Sequence, residues 1–308
     1  MNETWFILAL AAPLLWAAGN FIDKGLIHKL RHTEGPVGVL ILYSSLFSAM
    51  VLVVIACLNP SSLLSLPASN MLVMVIAGIV DITAIYLYLL ALEREETSVV
   101  MPLYQVIPVF GLLLGYVLLG ETISSAQMFA GAVVLGGGML LAFDFEKGRI
   151  GRLKAKTLAI AIAASFCFAL FDALFKLGAE GNNFWVAIFW QHIGVLLVGV
   201  VLFFGHANHR GDFIRNLRTD GVVIFGLNIF NESIYVAGVI LVSAALLLAP
   251  IALVATVGVY QPVFIFVGSI ILATLLPRVF TDRITLPHLI HKGIAVLIIV
   301  IGSIMLIS

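Results

Sequence analysis

The sequence is dominated by apolar runs of roughly 20 residues, the length that a helix needs to cross the hydrocarbon core of a bilayer. Ten such runs are separated by turn residues or charges, at positions 4–27, 35–58, 69–92, 98–119, 124–143, 156–179, 184–205, 219–242, 246–276 and 287–307. The eighth and ninth are the hardest to separate, because residues 243–248 are barely polar. The pattern predicts an all-α integral membrane protein with ten transmembrane helices.

The composition supports this fold class. Hydrophobic residues make up 62% of the 308 residues, charged residues only 10%, and the mean hydropathy is +1.17. A soluble domain of this size needs more polar surface, so the bilayer is the expected solvent. The runs lack the short alternating strands of a membrane β-barrel. The first run also lacks the basic start and cleavage site of a signal peptide, so we expect it to remain as a helix.

Lysine and arginine between the predicted spans are confined to alternate loops. They fall in the odd-numbered loops, as Lys29, Arg31, Arg94, Lys147, Arg149, Arg152, Lys154, Lys156, Arg210, Arg215, Arg218, Arg278 and Arg283. The even-numbered loops and both termini contain none. The positive-inside rule therefore predicts cytoplasmic odd loops and both termini outside.

The two halves of the chain resemble each other in sequence. "AIYLYLLALEREETSVVMP" parallels "SIYVAGVILVSAALLLAP", and "IPVFGLLLGYVLL" parallels "QPVFIFVGSIILATLL". We expect a first five-helix repeat at 1–147, a basic cytoplasmic linker at 148–155 and a second five-helix repeat at 156–308. Five is an odd number of spans, so the second repeat would enter the membrane upside down, as in many secondary transporters.

Polar residues inside the predicted spans need a reason, because an ionisable side chain at mid-span costs about 2.5 to 3.5 kcal/mol on insertion scales. They lie mainly in spans that the repeat relates to one another, which predicts a shared cavity. They are Asn20, Asp23, Lys24, Asp81, Gln105, Asp172, Lys176, Gln191, His192, Asn228, Asn231, Glu232 and Gln261. Tyr260, beside Gln261, is a further cavity candidate.

Asp81 and Glu232 support the most specific hypothesis. Each lies about halfway along its predicted span, and the repeat brings the two positions close to equivalence. A carboxyl group there could gain and lose a proton as the cavity opens to either side, and so couple proton movement to substrate. The alternative for each is a structural hydrogen bond to a neighbouring helix.

Three basic side chains in the spans leave alternatives open. Lys24 and Lys176, a repeat-related pair near span ends, could extend to the membrane interface. They could also pair with Asp23 and Asp172 or attract an anionic substrate. His192 could relay protons or be a neutral, hydrogen-bonded core histidine.

Prolines interrupt the fourth and ninth spans at related positions: Pro102 and Pro108 in the first half, Pro250 and Pro262 in the second. Proline removes helix hydrogen bonds and frees carbonyl groups. In transporters such breaks line binding sites or act as hinges. A simple packing kink is the alternative.

The signatures of several other functions are missing from the sequence. There is no Walker A motif, no convincing Ser-His-Asp or Cys-His arrangement, and no complete metal-ligand set around the two His-x-x-His pairs. We therefore expect no enzyme activity, no cofactor and no bound metal. The basic loop at 206–220 is short and suits anionic lipid better than nucleic acid.

The chain carries a family resemblance over nearly its whole length, and the resemblance is strong in the first half. "LLWAAGNFIDKGLI" and the stretch from 97 to 143 resemble the EamA-type branch of the drug/metabolite transporter superfamily. The residues that fit the family pattern are Pro102, Pro108, Gly115, Gly120, Glu121 and Gly131. The second half departs from that pattern, because 275–283 lacks the Leu-Gly-Glu of 119–121. We interpret Glu121 as a helix-end residue.

The resemblance implies an inner-membrane carrier that works by alternating access around a cavity. We expect a secondary transporter for a small polar or amphipathic metabolite, proton-coupled or facilitative, with the substrate, the lipid bilayer and possible coupling protons as its partners. A divalent-cation pathway or channel and a lipid-linked-substrate flippase are the alternatives. The oligomeric state is left open.

Overall fold

The computed structural model describes residues 3–30, 33, 35–95, 100–142, 155–219, 221–275 and 286–307. The elements in these ranges are helices. They are α1 (Thr4–Lys29), α2 (Pro36–Leu58), α3 (Ala68–Arg94), a 3-10 helix (Met101–Val106), α4 (Ile107–Leu119), α5 (Ser125–Ala142), α6 (Ala155–Ala179), α7 (Phe184–Gly205), α8 (Ala207–Thr219), α9 (Gly221–Leu246), α10 (Ile251–Val257), α11 (Tyr260–Leu275) and α12 (Leu286–Ile307).

Within the described ranges, seven helical segments are long and apolar enough to cross a membrane, and three shorter apolar helices accompany them. The shorter ones are Leu103–Leu119, Ser125–Leu140 and Ile290–Leu306. Each of these segments falls on one of the predicted apolar runs. The chain is therefore a multi-pass membrane protein with an all-helical fold.

The fourth and ninth predicted spans are both broken. The fourth begins as the 3-10 helix and continues as α4, with Pro108 in the first turn of α4. The ninth is divided into α10 and α11 by Gly258 and Val259, while Pro250 precedes α10. The expected boundary of the eighth span at 242 was wrong, because α9 continues to Leu246 and the chain leaves the helix only before Pro250.

The seventh loop was also predicted wrongly. The residues from Ala207 to Thr219 form α8, an amphipathic helix. Its apolar side packs Phe213 edge-to-face against Tyr43 of α2, with ring centroids 4.9 Å apart. Its basic residues include Arg210, which lies over the Phe203 ring, and Arg215, which pairs with Asp212.

Local sequence explains where several helices begin and end. The Asn183 side chain accepts hydrogen bonds from the Trp185 and Val186 amides at 3.0 and 3.3 Å, and so caps the start of α7. Gly120 ends α4 with φ +66°, a left-handed conformation that glycine adopts without steric penalty. This turn directs Glu121 back along α4.

The helices pack mainly across the two halves of the chain. α1 lies against α9 and α11, and α6 correspondingly lies against α3 and α4. α2 packs on α7, α5 on α12, and α4 on α10. The interior is thus formed jointly by both halves.

The contact between α3 and α7 is unusually close. A Cβ atom at Gly78 would overlap the carbonyl oxygen of Gln191, and one at Gly194 would overlap that of Val75. Small residues that let helix backbones meet are typical of packing within membranes, where lipid tails compete for apolar side chains. This crossing fixes the position of Asp81 on α3 relative to Gln191 on α7.

Candidate functional site

A cavity of about 190 Å³ lies at the centre of the helical bundle. Its wall combines residues of α1, α2, α3, α6 and α9 with both broken spans. The polar side chains in the wall come from both halves. They are Asn20, Asp23, Ser44, Tyr88, Tyr104, Gln105, Asp172, Asn228, Asn231, Glu232, Tyr235 and Gln261.

Asp23 is held in the cavity wall by a residue from the other half. The Asn231 side chain donates to Asp23 Oδ1 at 2.7 Å. The Tyr88 hydroxyl donates to Asn20 Oδ1 and also lies 3.2 Å from Asp23 Oδ2. α1, α3 and α9 are therefore joined by one polar network beside the cavity.

Glu232 is the carboxylate that links the central cavity to a smaller neighbouring pocket, because its side chain lines both. The Ser44 hydroxyl donates to Glu232 Oε1 at 2.5 Å. The smaller pocket also contains Asp81, Gln191 and His192. Glu232 therefore shares the smaller pocket with two other titratable side chains, Asp81 on α3 and His192 on α7.

Asp81 lines the smaller pocket only, and its carboxylate accepts two hydrogen bonds. Tyr235 donates to Oδ1 at 2.8 Å and Gln191 donates to Oδ2 at 3.0 Å. Tyr235 in turn stacks on Trp16, with ring centroids 6.3 Å apart. Asp81 therefore positions an aromatic side chain of the central cavity.

Asp172 differs from the other carboxylates of the cavity wall. Among the residues that the structure describes, none makes a hydrogen bond or ion pair to the Asp172 carboxyl group. Phe168, four residues earlier on α6, lies on the same helix face and contacts Tyr104, whose ring also contacts Tyr88. A carboxyl group next to aromatic rings is thus available to a ligand.

Lys176 is near the end of α6 and is only 8% exposed. Its ammonium group contacts Glu121 Oε1 at 2.6 Å and donates to the Ala249 carbonyl at 2.7 Å. Glu121 Oε2 also accepts the amide of Ile251 at 2.9 Å. These contacts, which we call the Glu121–Lys176 clamp, join the ends of α4 and α6 to the start of α10. Asp172 was considered from the sequence as a partner of Lys176, but the structure shows Glu121, which was not considered.

The remaining sequence candidates occupy different places. Tyr260 does not line the cavity but packs against Phe6 and Phe264. His192 is 3% exposed, and its Nδ1 lies 2.9 Å from the Ile188 carbonyl. Pro108 and Pro262 line the cavity. The side chains of Lys24 and Pro102 are outside the described part of the structure.

Several residues of the site were missed from the sequence. Ser44, Tyr88 and Tyr235 look like ordinary helix residues in their own spans, and only tertiary packing brings them to Glu232, Asp23 and Asp81. Glu121 was placed correctly at a helix end, but its buried partner was not predicted. Gly120 was the one signal in the sequence that could have suggested a partner for Glu121, because it turns the chain back toward the helical bundle.

Comparison with known proteins gives a family match for the first half of the chain. Residues 3–143 match the EamA-like transporter family. This match covers just under half of the chain. The EamA-type resemblance to the drug/metabolite transporter superfamily, inferred from the sequence, is thereby confirmed. With the multi-pass fold, it indicates a membrane transporter and points away from an enzyme.

One relative and one solved structure extend the comparison. A "Probable amino-acid metabolite efflux pump" of Salmonella typhimurium is 29% identical over 156 residues, which are 48% of this chain and 51% of the relative. The match thus spans about half the length of that curated relative. A solved crystal structure of another protein aligns with 99% of this chain and 96% of its own chain, with a TM-score of 0.62 at 14% identity. The two chains therefore share a fold.

Proposed function

We propose that the chain is a secondary transporter that moves a small metabolite across the membrane by alternating access. The observation that supports this most directly is the central cavity, whose polar wall is built from both halves of a helical bundle. A polar cavity inside a membrane bundle, flanked by two broken spans, is the arrangement in which transporters bind substrate. The named function of the Salmonella relative suggests amino-acid metabolites as cargo and export as the direction.

The proposed mechanism uses the repeat predicted from the sequence. Residues 1–147 and 156–308 form two five-helix halves of opposite orientation, joined by the linker at 148–155. Rocking of one half against the other would expose the cavity to each side in turn, with Pro102, Pro108, Pro250 and Pro262 as hinges. The orientation in the cytoplasmic membrane, with both termini outside, follows from the loop charges.

Glu232 and Asp81 are the proposed coupling residues. Glu232 lines the central cavity and the smaller pocket, and Asp81 lies in the smaller pocket. Water access from alternate sides would let the Glu232 carboxyl group exchange its proton with each compartment. The proposed substrate contacts are Asn20, Asp23, Gln105, Asp172, Asn228, Asn231 and Gln261. Lys24 and His192 remain candidates from the sequence. Lys176 and Tyr260 are not proposed as contacts, because Lys176 is held in the clamp and Tyr260 packs outside the cavity wall.

Transport by purified protein in proteoliposomes tests the proposal. Liposomes loaded with an amino-acid metabolite mixture should show saturable counterflow of a labelled member, whereas single-channel current would favour a pore. Glu232→Gln should abolish uptake driven by a pH gradient and leave exchange intact. Glu180→Gln, on the exposed end of a loop, is the matched control and should transport normally. Unchanged gradient-driven uptake in Glu232→Gln would remove the coupling role.

A further inference from the structure

The charge of the cavity wall restricts the ligand that it can accept. Asp23, Asp172 and Glu232 all line the cavity, and Asp81 lies one pocket away. Among the described residues of the cavity wall there is no lysine, arginine or histidine. A carboxylate removed from water is stable only when a proton or a positive partner neutralises it. The cavity therefore favours a cation over an anion.

Neutral polar side chains also contribute to the cavity wall. Asn20, Gln105 and Asn231 line the cavity and are 4%, 5% and 7% exposed. Amide side chains can donate and accept hydrogen bonds. Such a wall suits a polar ligand better than a purely apolar one.

The aromatic content of the wall favours an organic cation. Trp16 and Tyr235 stack on one another, and Tyr88, Tyr104 and Phe168 form a second, edge-to-face group. Ring faces attract ammonium groups through their quadrupoles. Among the described residues, no three His, Cys, Asp or Glu side chains are grouped closely enough to hold a metal ion. Aromatic rings beside dispersed carboxylates thus suit an amine better than a divalent metal.

We propose that the cavity binds an organic cation with no carboxylate of its own, and that Asp172 receives its ammonium group. This rests on the proposed transport function. Asp23 and Glu232 already accept hydrogen bonds from Asn231 and Ser44, whereas Asp172 is free for the ligand. A zwitterionic amino acid would bring a carboxylate toward Asp23, Asp172 and Glu232 and leave it without a described positive partner. We therefore expect the cavity to accept the amine that results from decarboxylation of an amino acid and to exclude the amino acid itself.

Binding to the purified protein in detergent tests the charge requirement apart from transport. Tyramine, tyrosine and 3-(4-hydroxyphenyl)propionate share a ring and chain length and differ in charge. Isoamylamine and leucine form a second amine and amino-acid pair without a ring. Calorimetry at pH 7 should show each amine binding at least tenfold more tightly than its zwitterion, and the anion more weakly still. Equal or tighter binding of the zwitterions would overturn the proposal.

A permanent cation separates ligand charge from proton exchange. Choline and its neutral isostere 3,3-dimethyl-1-butanol have the same shape, so tighter binding of choline would show that the cavity requires positive charge. Equal binding of the two would count against the proposal.

The role of Asp172 is tested by substitution. Asp172→Asn should weaken tyramine binding at least tenfold with an unchanged melting temperature, and Glu180→Gln should bind like the wild type. Retained tyramine affinity in Asp172→Asn would refute the assignment of Asp172. Counterflow of tyrosine but not of tyramine would refute the requirement for a cation and would still support the proposed transport function. Binding of tyramine without counterflow of any compound would uphold the site and refute the transport function.

Discussion

Lys176 and Glu121 are the buried ion pair with the clearest structural role. The Lys176 ammonium contacts a carboxylate and a carbonyl, while the Glu121 carboxylate also accepts the amide that begins α10. Gly115 makes room for this arrangement, because a Cβ atom there would lie 2.6 Å from Glu121 Oε2. Each charge is therefore compensated by the other together with backbone groups.

Lys176→Met should destabilise the protein by about 3 kcal/mol, since removing one member of a buried pair leaves the other charge uncompensated. Thermal unfolding in detergent measures the effect. The double variant Lys176→Met/Glu121→Gln should recover a substantial part of the loss, because no charge is then left unpaired. A single variant as stable as the wild type would show that the clamp contributes nothing to stability.

The sequence predicts which residues are polar in the spans but not which of them meet. Glu232, Asp23 and Asp172 stand out because charge is rare in an apolar helix, and the structure places all three in one cavity wall. Their contacts with Ser44 and Asn231 depend on helix rotation and crossing, which hydropathy does not encode. Helix rotation also explains why Tyr260 does not line the cavity, since its neighbour Gln261 faces inward instead.

At the scale of helices, the closest crossing is that of α3 and α7. Gly78 and Gly194 allow the two backbones to meet where side chains would otherwise separate them. Asp81 and Gln191 lie at this crossing and hydrogen-bond at 3.0 Å. The crossing thus sets the geometry of the smaller pocket.

Gly78→Ala should lower the melting temperature, because the new methyl group would overlap the Gln191 carbonyl oxygen. Overpacking of this kind typically costs about 1 to 3 kcal/mol. Gly136→Ala on α5 is the control, since its Cβ would meet no atom within 4 Å and alanine favours a helix. Equal melting temperatures for the two variants would contradict the proposed close contact.

Helices were predicted correctly where a long apolar run identifies a membrane-spanning segment. They were predicted incorrectly where other features of the sequence determine the structure. The long apolar runs gave α1, α2, α3, α6 and α7 within a few residues. α8 was mistaken for a loop because its charges concealed the apolar spacing of Phe213, Ile214 and Leu217. The position of the break between α10 and α11, at Gly258 and Val259, was not predicted, because the surrounding residues remain apolar.

At the scale of the molecule, an apolar exterior encloses a mainly apolar core, and polar side chains are gathered in the wall of the central cavity. Phe230 on α9 is 58% exposed, while Asn231, the next residue, is 7% exposed. Adjacent residues of a helix differ in depth by about 1.5 Å. Phe230 therefore reports on the lipid-facing surface and Asn231 on the cavity wall, at nearly the same depth in the membrane.

In a background with Cys57→Ala and Cys167→Ala, Asn231→Cys should react with a charged methanethiosulfonate reagent much faster than Phe230→Cys. A thiolate is the reacting species, and it forms in water but not in hydrocarbon. Reaction rates in intact vesicles provide the measurement. Faster reaction of Phe230→Cys would mean that α9 is rotated with its charged face toward lipid.

The orientation predicted from loop charges can be checked with the same background. α7 has 22 residues and separates Glu180 from Ala207. Glu180→Cys should react with an impermeant reagent added outside cells, and Ala207→Cys only after the cytoplasmic side is opened. The reverse result would invert the predicted topology.

The Glu121–Lys176 clamp joins the two halves of the chain, because Glu121 follows α4 and Lys176 lies on α6. If the halves rock against each other, opening the face of the protein at Glu121 must separate this buried charge pair. The clamp would then favour the conformer with that face closed at rest, and substrate binding would supply the free energy to open it.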